Sequence, residues 1–310
     1  MEISNSQAVS MEISRGRRMK RARLNRNVAA YVLLTPFLLF YLVFTFYPLV
    51  QGFVISFFKW NITGNKVFIG LSNYKELFGE GLFWESLWHT LMYVLVSTPI
   101  FMAGAFVLAL IIDYKFILGR SFLRSVFFLP NVLTVSITAV LWLNMLQPYT
   151  GLVNTALHAV GIQHEVFWLA DANKVWLSII WVTFWWNTGY YMILYLAGMQ
   201  DIPEEHYEAA QIDGASWLQT IRYITMPSLK HIHILVLFLQ VVASFKIFGQ
   251  VFLITEGGPG GASRTFIQYI YEVGFQRFFI GKASAASFVL FAIIMLVSLL
   301  QLKIMSKSKD

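Results

Sequence analysis

The stretch "YEAAQIDGASWLQTIRYITMP", from Tyr207 to Pro227, is a polar island between two long apolar runs. The whole chain of 310 residues is 57% hydrophobic and 13% charged, whereas a soluble domain carries roughly 25% charged residues. Apolar runs of about 20 residues, the length that crosses a bilayer, recur along the sequence. Lipid offers the backbone no hydrogen bonds, so these runs are expected to be helices. The sequence therefore predicts an all-α polytopic membrane protein.

The apolar runs predict six transmembrane helices. They are expected at 29–57, 87–112, 126–146, 175–199, 232–254 and 283–304. An even number of spans places both termini on one side, and the excess of Lys and Arg on that side makes it the cytoplasm. The expected organisation is a basic cytoplasmic tail (1–28), a transmembrane domain (29–305) with a cytoplasmic loop (200–228), and a short cytoplasmic tail (306–310).

Composition excludes several classes of function. The chain has no cysteine, which excludes disulfides, thiolate metal sites and cysteine nucleophiles. Its net charge of +7 comes largely from "RGRRMKRARLNR" at 15–26, a position typical of a topology signal and not of nucleic-acid binding. His231 and His233 are two residues apart, so a helix separates them and no metal site is predicted. We see no catalytic arrangement and expect no enzyme.

A phosphate-binding loop is also absent from the sequence. The closest approach to G-x4-G-K-[ST] is "GFQRFFIGKAS" at 274–284, where the glycines are too far apart and Ala283 replaces the Ser or Thr. We therefore expect this chain to bind neither ATP nor any cofactor by itself.

The polar island is predicted to fold as helix–glycine–helix. Pro203 suits the first helical position, and the two glutamates after it suit the positive end of the helix dipole. Gly214 stands where the first helix would stop, in a conformation that often needs positive φ. Ser216 and Gln219 are spaced as a capping box for the second helix. Pro227 is expected to end that helix and open the next span.

The island has two interpretations. It is longer than a bare connection between two spans needs to be. Ala209 and Ala210 form a small-residue patch beside Glu208 and Tyr207, and such a patch allows a partner to approach closely. We therefore favour a docking element, and a plain connector is the alternative.

Two motifs resemble a known family. "EAAQIDGA" followed by "ITMP" resembles the EAA loop of permease subunits in bacterial ABC importers. "LITEGGPGGASRT" at 253–265 resembles the T-x-GGP signature of carbohydrate permeases of the maltose and glycerol-phosphate uptake class. "GLSNYKELF" at 70–78 is similar to their first outer loop, and "GKASAASFVL" at 281–290 to the start of their last span. From the residues alone, "TEGGPGG" is a tight turn.

The resemblance implies a function and a set of partners. The chain would be one permease subunit of an ATP-driven sugar importer in the bacterial cytoplasmic membrane. It would pair with a homologous second permease, receive sugar from an extracytoplasmic solute-binding protein, and dock on a cytoplasmic ATPase dimer that holds ATP and Mg. The residues implied in ATPase coupling are Glu208, Ala209, Ala210, Asp213, Gly214 and Pro227.

The predicted fourth and fifth spans carry candidate substrate residues, because polar groups near the midplane are costly unless used. Aromatic faces and amides suit the binding of sugars. Ordinary packing between helices, with Asn187 bonding from one helix to another, explains the presence of these residues equally well. Gln240 and Ser244 share one helix face. Lys246 is an intramembrane cation that could bind an acidic ligand, pair with the partner subunit or reach outward. The candidates are Trp185, Asn187, Tyr190, Tyr191, Gln240, Ser244 and Lys246.

Three rival functions remain open. An ABC permease for a non-sugar solute, such as a phosphodiester, is the nearest. An ion-coupled secondary transporter would usually need an intramembrane carboxylate, and no predicted span contains Asp or Glu. A membrane scaffold or receptor would need a sizeable soluble domain, which the short loops do not provide.

Overall fold

A computed structural model of the chain describes residues 31–61, 64–114 and 117–307, without the side chains of 304–307. The predicted tail at 1–28, the first residues of the first span and the last three residues lie outside this part. The chain divides into two units, Met1–Ile55 and Ser56–Asp310. In the first unit, helix α1 covers Tyr31–Ile55, with a π-helical turn at Leu42–Phe46.

The second unit opens with a small antiparallel pair of strands, β1 (Phe58–Lys59) and β2 (Val67–Phe68). Helices follow to the end of the described chain. They are α2 (Ser72–Gly79), α3 (Gly81–Asp113), α4 (Arg120–Val132), α5 (Val135–Met145), α6 (Leu152–Ala159), α7 (Val175–Gln200), α8 (Glu204–Ile212), α9 (Trp217–Ser228), α10 (Lys230–Phe245), α11 (Gly249–Ile254), α12 (Phe266–Tyr271) and α13 (Ile280–Lys307). A π turn at Ile221–Thr225 lies inside α9, and another at Glu272–Gln276 continues α12.

Helix α3 lies at the centre of this unit, packed along α7 and α10. Small residues allow the close approach: a Cβ on Gly104 of α3 would stand 2.3 Å from the ring of Phe184 on α7. Buried apolar side chains then fill the space between α3, α10, α12 and α13, with Phe83, Phe266 and Tyr269 at the middle. This cluster joins α3, α10, α12 and α13, and a second cluster lies between α3, α7 and α10.

Hydropathy identifies the membrane-crossing segments within the described residues. Three helices are long and apolar enough to span a bilayer: α1, α3 and the Ile280–Lys303 part of α13. Two bent helix pairs, α4–α5 and α9–α10, meet the same criterion when each pair is taken together. Helix α7 has the length to cross, 26 residues, at about 1.5 Å of rise per residue. The described chain thus contains several helices with the length, and in most cases the hydropathy, to cross a membrane.

The helix predicted at 126–146 is not continuous. Helices α4 and α5 meet there at a bend of 99°. Pro130 lies in the last turn of α4, and Thr134 starts a new helix by accepting a hydrogen bond from the amide of Ile137, N···Oγ1 3.3 Å. Proline disfavours helix continuation, and a threonine cap stabilises a new start, so the segment turns instead of running straight.

The predicted single helix at 232–254 is also wrong. Helix α10 ends at Phe245, and α11 starts only at Gly249. Gly249 lies against α5, where an added Cβ would stand 3.0 Å from Val135. The glycine lets the second half of this segment shift sideways onto α5, which breaks the helix at Lys246.

Candidate functional site

The first helix of the 200–228 hairpin forms as predicted, with one difference at its start. Helix α8 begins at Glu204, and Pro203 is the residue before it, with extended ψ of 133°. The proline was predicted at the first helical position, but it takes the cap position instead. Glu204 and Glu205 occupy the first turn, where the helix dipole favours negative charge.

Gly214 ends α8 in the conformation that the sequence predicts, with φ of +71°. The amide of Gly214 donates to the carbonyl of Gln211 (3.1 Å), and the amide of Ala215 donates to the carbonyl of Ala210 (2.9 Å). This pair of bonds is the Schellman arrangement, which satisfies the last carbonyls of a helix and reverses the chain. The turn between the two helices is therefore fully hydrogen-bonded.

The predicted capping box at the start of α9 is confirmed. The Ser216 amide donates to Oε1 of Gln219 (2.7 Å), and the Gln219 amide donates to Oγ of Ser216 (3.4 Å). The Tyr207 hydroxyl lies 3.2 Å from Oγ1 of Thr225, which joins α8 to the π turn of α9. Local caps and one cross-link thus hold the hairpin in a single shape.

Pro227 does not end the helix where predicted. Helix α9 runs to Ser228 and bends by 69° at Leu229 into α10. The π turn at Ile221–Thr225 lies directly before the proline. Because a π turn is wider than an α turn, the carbonyls that would clash with the proline ring are displaced. The helix therefore continues for one more residue.

The base of the hairpin is tightly packed. A Cβ on Gly198, near the end of α7, would stand 2.5 Å from Ile232 and 2.9 Å from Leu229. Leu229 itself is buried. The end of α7 and the start of α10 thus meet closely at the base of the hairpin.

The predicted coupling residues divide into exposed and buried ones. Glu208, Ala209, Asp213, Gly214 and Pro227 are exposed, whereas Ala210 is 8% exposed and belongs to the interior of the hairpin. The small side chain of Ala210 allows α8 to lie close to its neighbours and is not itself available to a partner.

Sequence reasoning missed the large apolar side chains of the hairpin. Ile212 is 86% exposed and Leu218 is 68% exposed, one on either side of Gly214. Exposed large apolar side chains at one turn are candidates for a surface that a partner covers. The signal was visible in "QIDGASWL", where apolar residues flank a polar turn.

Helix α7 packs against the bend between α4 and α5. The Nδ2 of Asn131 donates to Oδ1 of Asn187 (3.3 Å), and the indole of Trp186 donates to the carbonyl of Leu133 (3.1 Å). A Cβ on Gly189 would stand 1.9 Å from the carbonyl oxygen of Phe127. Asn187 and Gly189 thus do what the packing interpretation predicts.

The predicted substrate residues do not meet at one point. Trp185 packs edge-on against Trp142, with ring centroids 5.6 Å apart. Tyr191 is 5% exposed, whereas its neighbour Tyr190 is 40% exposed. The aromatic residues of α7 therefore point to different sides of the helix, as consecutive positions must.

A buried polar strip joins α10 to α3. The side-chain amide of Gln240 donates through Nε2 to Oγ of Ser244 (3.0 Å), which lies 3.3 Å from Oγ of Ser97. The shared face predicted for Gln240 and Ser244 is confirmed. Lys246 lies just beyond, exposed, at the break between α10 and α11. Its position at a helix break was not visible in the hydropathy of the sequence.

The "TEGGPGG" turn is held by side chains from two distant helices. Gly257, Gly260 and Gly261 all have positive φ, which fits the tight turn that the sequence predicts. The indole of Trp176 donates to the carbonyl of Ala262 (2.9 Å), and the amide of Phe266 donates to the hydroxyl of Thr90 (2.9 Å). These contacts attach the turn to α7 and α3.

Glu80, directly before α3, makes a second set of contacts between distant helices. It accepts hydrogen bonds from the Lys282 ammonium and from the Tyr269 hydroxyl, the latter at 2.6 Å. Burial raises the pKa of Glu80, but the two hydrogen bonds lower it more, so its pKa lies below the usual value. The start of α3 is thereby tied to α12 and α13.

The family model of the binding-protein-dependent transport system inner membrane component matches residues 67–307. The chain is 35% identical over 291 residues to the probable ABC transporter permease protein YurN of Bacillus subtilis, covering 93% of this chain and 99% of that protein.

Two further relatives have names that state a cargo. The arabinooligosaccharides transport system permease protein AraP of Halalkalibacterium halodurans is 31% identical over 280 residues, covering 90% of this chain and 88% of that protein. The probable starch degradation products transport system permease protein AmyD of Thermoanaerobacterium thermosulfurigenes is 31% identical over 291 residues, covering 93% of this chain and 98% of that protein.

The fold matches a chain in the crystal structure of a bacterial ABC transporter involved in the import of the acidic polysaccharide alginate. The TM-score is 0.82 at 24% identity, and the match covers 91% of this chain and 96% of that chain. At this identity the likeness concerns the fold.

Proposed function

Because the chain belongs to the family of binding-protein-dependent transport system inner membrane components, we propose that it forms half of the pathway of an ATP-driven importer for sugars or oligosaccharides. The relatives at 31% identity are permeases named for arabinooligosaccharides and for starch degradation products. They are permease subunits and not enzymes, so the ATP and Mg of the cycle would belong to a separate ATPase.

The proposed setting is the bacterial cytoplasmic membrane, crossed six times with both termini in the cytoplasm. The family is one of inner membrane components. Hydropathy supports five of the proposed crossings when each bent helix pair is taken as one, and the length of α7 supports the sixth. The basic run at 15–26 supports a cytoplasmic N-terminus. In this orientation the 200–228 hairpin faces the cytoplasm.

The hairpin carries the proposal for ATPase coupling. Its local bonds hold it rigid, and its base is packed against α7 and α10. Glu208 offers a carboxylate for a charge-assisted hydrogen bond, and Ile212 and Leu218 offer apolar surface. The other predicted coupling residues would shape the hairpin that carries Glu208, Ile212 and Leu218. They are Asp213, Gly214, Ala210 and Pro227, with Ala209 on the exposed side of the hairpin. A rigid hairpin with an exposed end can transmit a movement of the ATPase to the helices against which it packs.

The proposed substrate path runs along α7, α10 and the break after α10. Tyr190 and Lys246 are exposed and able to contact a passing sugar directly. The other five candidates already have partners or lie in the core, so they would support Tyr190 and Lys246 or contact the sugar after a conformational change. They are Trp185, Asn187, Tyr191, Gln240 and Ser244. The second half of the pathway would come from a homologous permease, and the sugar from a solute-binding protein.

Uptake in cells tests this function. Labelled maltotriose, arabinotriose and a phosphodiester such as glycerophosphocholine would be offered to the native strain, a strain lacking this chain and a strain with Glu208→Lys. We expect ATP-dependent uptake of at least one oligosaccharide to be lost in both altered strains. Uptake of every oligosaccharide at native rates in the deletion strain would contradict the proposal, and selective loss of the phosphodiester would point to a non-sugar permease.

A further inference from the structure

A cavity of about 790 Å³ lies behind the 200–228 hairpin, and Gln211, Ala215 and Trp217 near its turn line it. Ligand sites in proteins are typically roughly 300–1,000 Å³, so this cavity has the volume for a small oligosaccharide. Its walls come from the end of α3, the start of α4, the end of α7 and the hairpin itself. None of the seven substrate candidates on α7, α10 and the break after α10 contributes to it.

Helix α8 presents two different stripes. Glu204, Tyr207 and Gln211 are spaced i, i+3 and i+7, and all three line the cavity. Glu205, Glu208 and Ile212 have the same spacing one residue later, about 100° around the helix, and are exposed. A ligand in the cavity would therefore touch a stripe that the proposed ATPase contact does not use.

The wall chemistry suits a neutral polyhydroxylated ligand. The described residues of the wall include the carboxylates of Asp113, Asp201 and Glu204 and the guanidinium of Arg120, which donates to the carbonyl of Tyr114 at 2.8 Å. This excess of negative charge repels phosphorylated or acidic ligands. Carboxylates accept hydrogen bonds from hydroxyl groups, and the amide of Gln211 can both donate and accept.

Aromatic surface and unused polar groups complete the site. Trp217 and Tyr207 line the cavity and provide flat faces for the C–H side of a sugar ring. Among the described residues, no hydrogen bond or ion pair engages the side chains of Asp113, Asp201 or Gln211, whereas Tyr207 is positioned by its contact with Thr225. Three polar side chains are thus available to a ligand, next to aromatic faces.

We propose that this cavity binds a neutral oligosaccharide from the cytoplasm and that its occupation slows transport. The proposal rests on the importer function above, because the ligand would be the accumulated product. A sugar there would bridge α8 to the ends of α3 and α7 and stabilise the arrangement in which the cavity is open. A ligand shifts an equilibrium toward the state it binds better, so states in which the hairpin closes the cavity would be depleted.

Binding is tested by cysteine protection, and because the chain has no cysteine of its own, an introduced cysteine is the one labelling site in this chain. Gln211→Cys would be labelled with a maleimide in the full complex in inside-out vesicles, with and without maltotriose or arabinotriose. At a sugar concentration ten times its Kd, labelling should slow about tenfold. The matched control is His231→Cys, exposed near the same membrane side but not in the cavity wall, where the rate should not change.

The outcomes of the labelling decide the binding claim. Equal rates with and without sugar at Gln211→Cys would overturn it, as would equal slowing at His231→Cys. Protection by trigalacturonic acid as strong as that by the neutral sugars would overturn the electrostatic selection.

The effect on transport is tested in vesicles with the neutral sugar added on the ATP side. Uptake should fall in the native complex and fall less with Asp113→Leu, which removes a cavity carboxylate. ATP-driven uptake that is insensitive to this sugar would overturn the regulatory claim and leave the proposed importer intact. Absence of any ATP-driven uptake would overturn the importer, and the labelling would still decide whether the cavity binds sugar.

Discussion

The Tyr207 hydroxyl lies 3.2 Å from Oγ1 of Thr225, and this contact closes the 200–228 hairpin across its two helices. Thr225 is buried in the π turn of α9. The contact therefore joins the element proposed to meet the ATPase to the segment that bends into α10. The hairpin behaves as one body only if this link holds.

Removing the link should loosen the hairpin locally. Tyr207→Phe deletes one hydrogen bond, worth about 1 kcal/mol, and leaves the ring in place. Hydrogen exchange of the amides at 204–225 should become roughly fivefold faster, while that of α3 stays unchanged. Tyr223→Phe is the matched control, because Tyr223 is 69% exposed. Equal acceleration in both variants would contradict the role of the Tyr207 contact.

Gly214→Pro should abolish transport without preventing membrane insertion. Proline fixes φ near −65°, far from the +71° of Gly214, and removes the amide that donates to Gln211. The measurement is uptake together with the amount of chain in the membrane. Gly161→Pro is the control, because Gly161 also has positive φ, at +95°, and an amide that donates to His158, but it lies outside the hairpin. Native uptake in Gly214→Pro would rule out coupling through this turn.

Gly189→Ala should destabilise the folded chain. The added methyl would stand 1.9 Å from the carbonyl oxygen of Phe127, and backbone cannot move aside as a flexible side chain can. Such overpacking costs about 1–3 kcal/mol or more. We expect a lower melting temperature in detergent, whereas Gly79→Ala, where nothing lies within 4 Å of the new methyl, should be neutral. An unchanged melting temperature in Gly189→Ala would show that α4 and α7 are not in this close contact.

The bonds of Glu80 should make part of the stability depend on pH. Its pKa is lowered in the folded chain, so its contribution is present at neutral pH and is lost as the pH falls through the lowered pKa. Glu80→Gln should lower the melting temperature at pH 7, and the difference from the native chain should shrink in acid. Glu85→Gln, at a neighbouring exposed position, should have little effect. A pH-independent deficit in Glu80→Gln would mean that the charge of Glu80 is not what stabilises this surface.

Local rules predicted the hairpin well. The positive φ of Gly214 and the reciprocal bonds of Ser216 and Gln219 depend on residues within a few positions of one another, and the sequence displays them directly. Pro227 shows the limit of such rules. The π turn before it changes where the carbonyls lie, and no residue pattern announces that turn.

The bends in the third and fifth segments could not be predicted from hydropathy. An apolar run has the same hydropathy whether it is straight or folded back by 99°. Pro130 and the Thr134 cap favour the bend of α4 into α5 locally. The bend is held by the bonds of Asn131 and Leu133 to α7, and the break at Lys246 is accompanied by the close fit of Gly249 to Val135. These are contacts between distant parts of the chain. For the same reason the sequence did not predict the cavity behind the hairpin.

The measurement that tests the account most directly is co-purification of the ATPase. The chain would be extracted from its native membrane in a mild detergent, and the proteins that accompany it would be identified by mass spectrometry and quantified. The account predicts a nucleotide-binding ATPase subunit with the native chain and its loss with Glu208→Lys, while a homologous permease is retained in both. Recovery of the ATPase in equal amount with Glu208→Lys, or no ATPase with the native chain, would contradict docking through the hairpin.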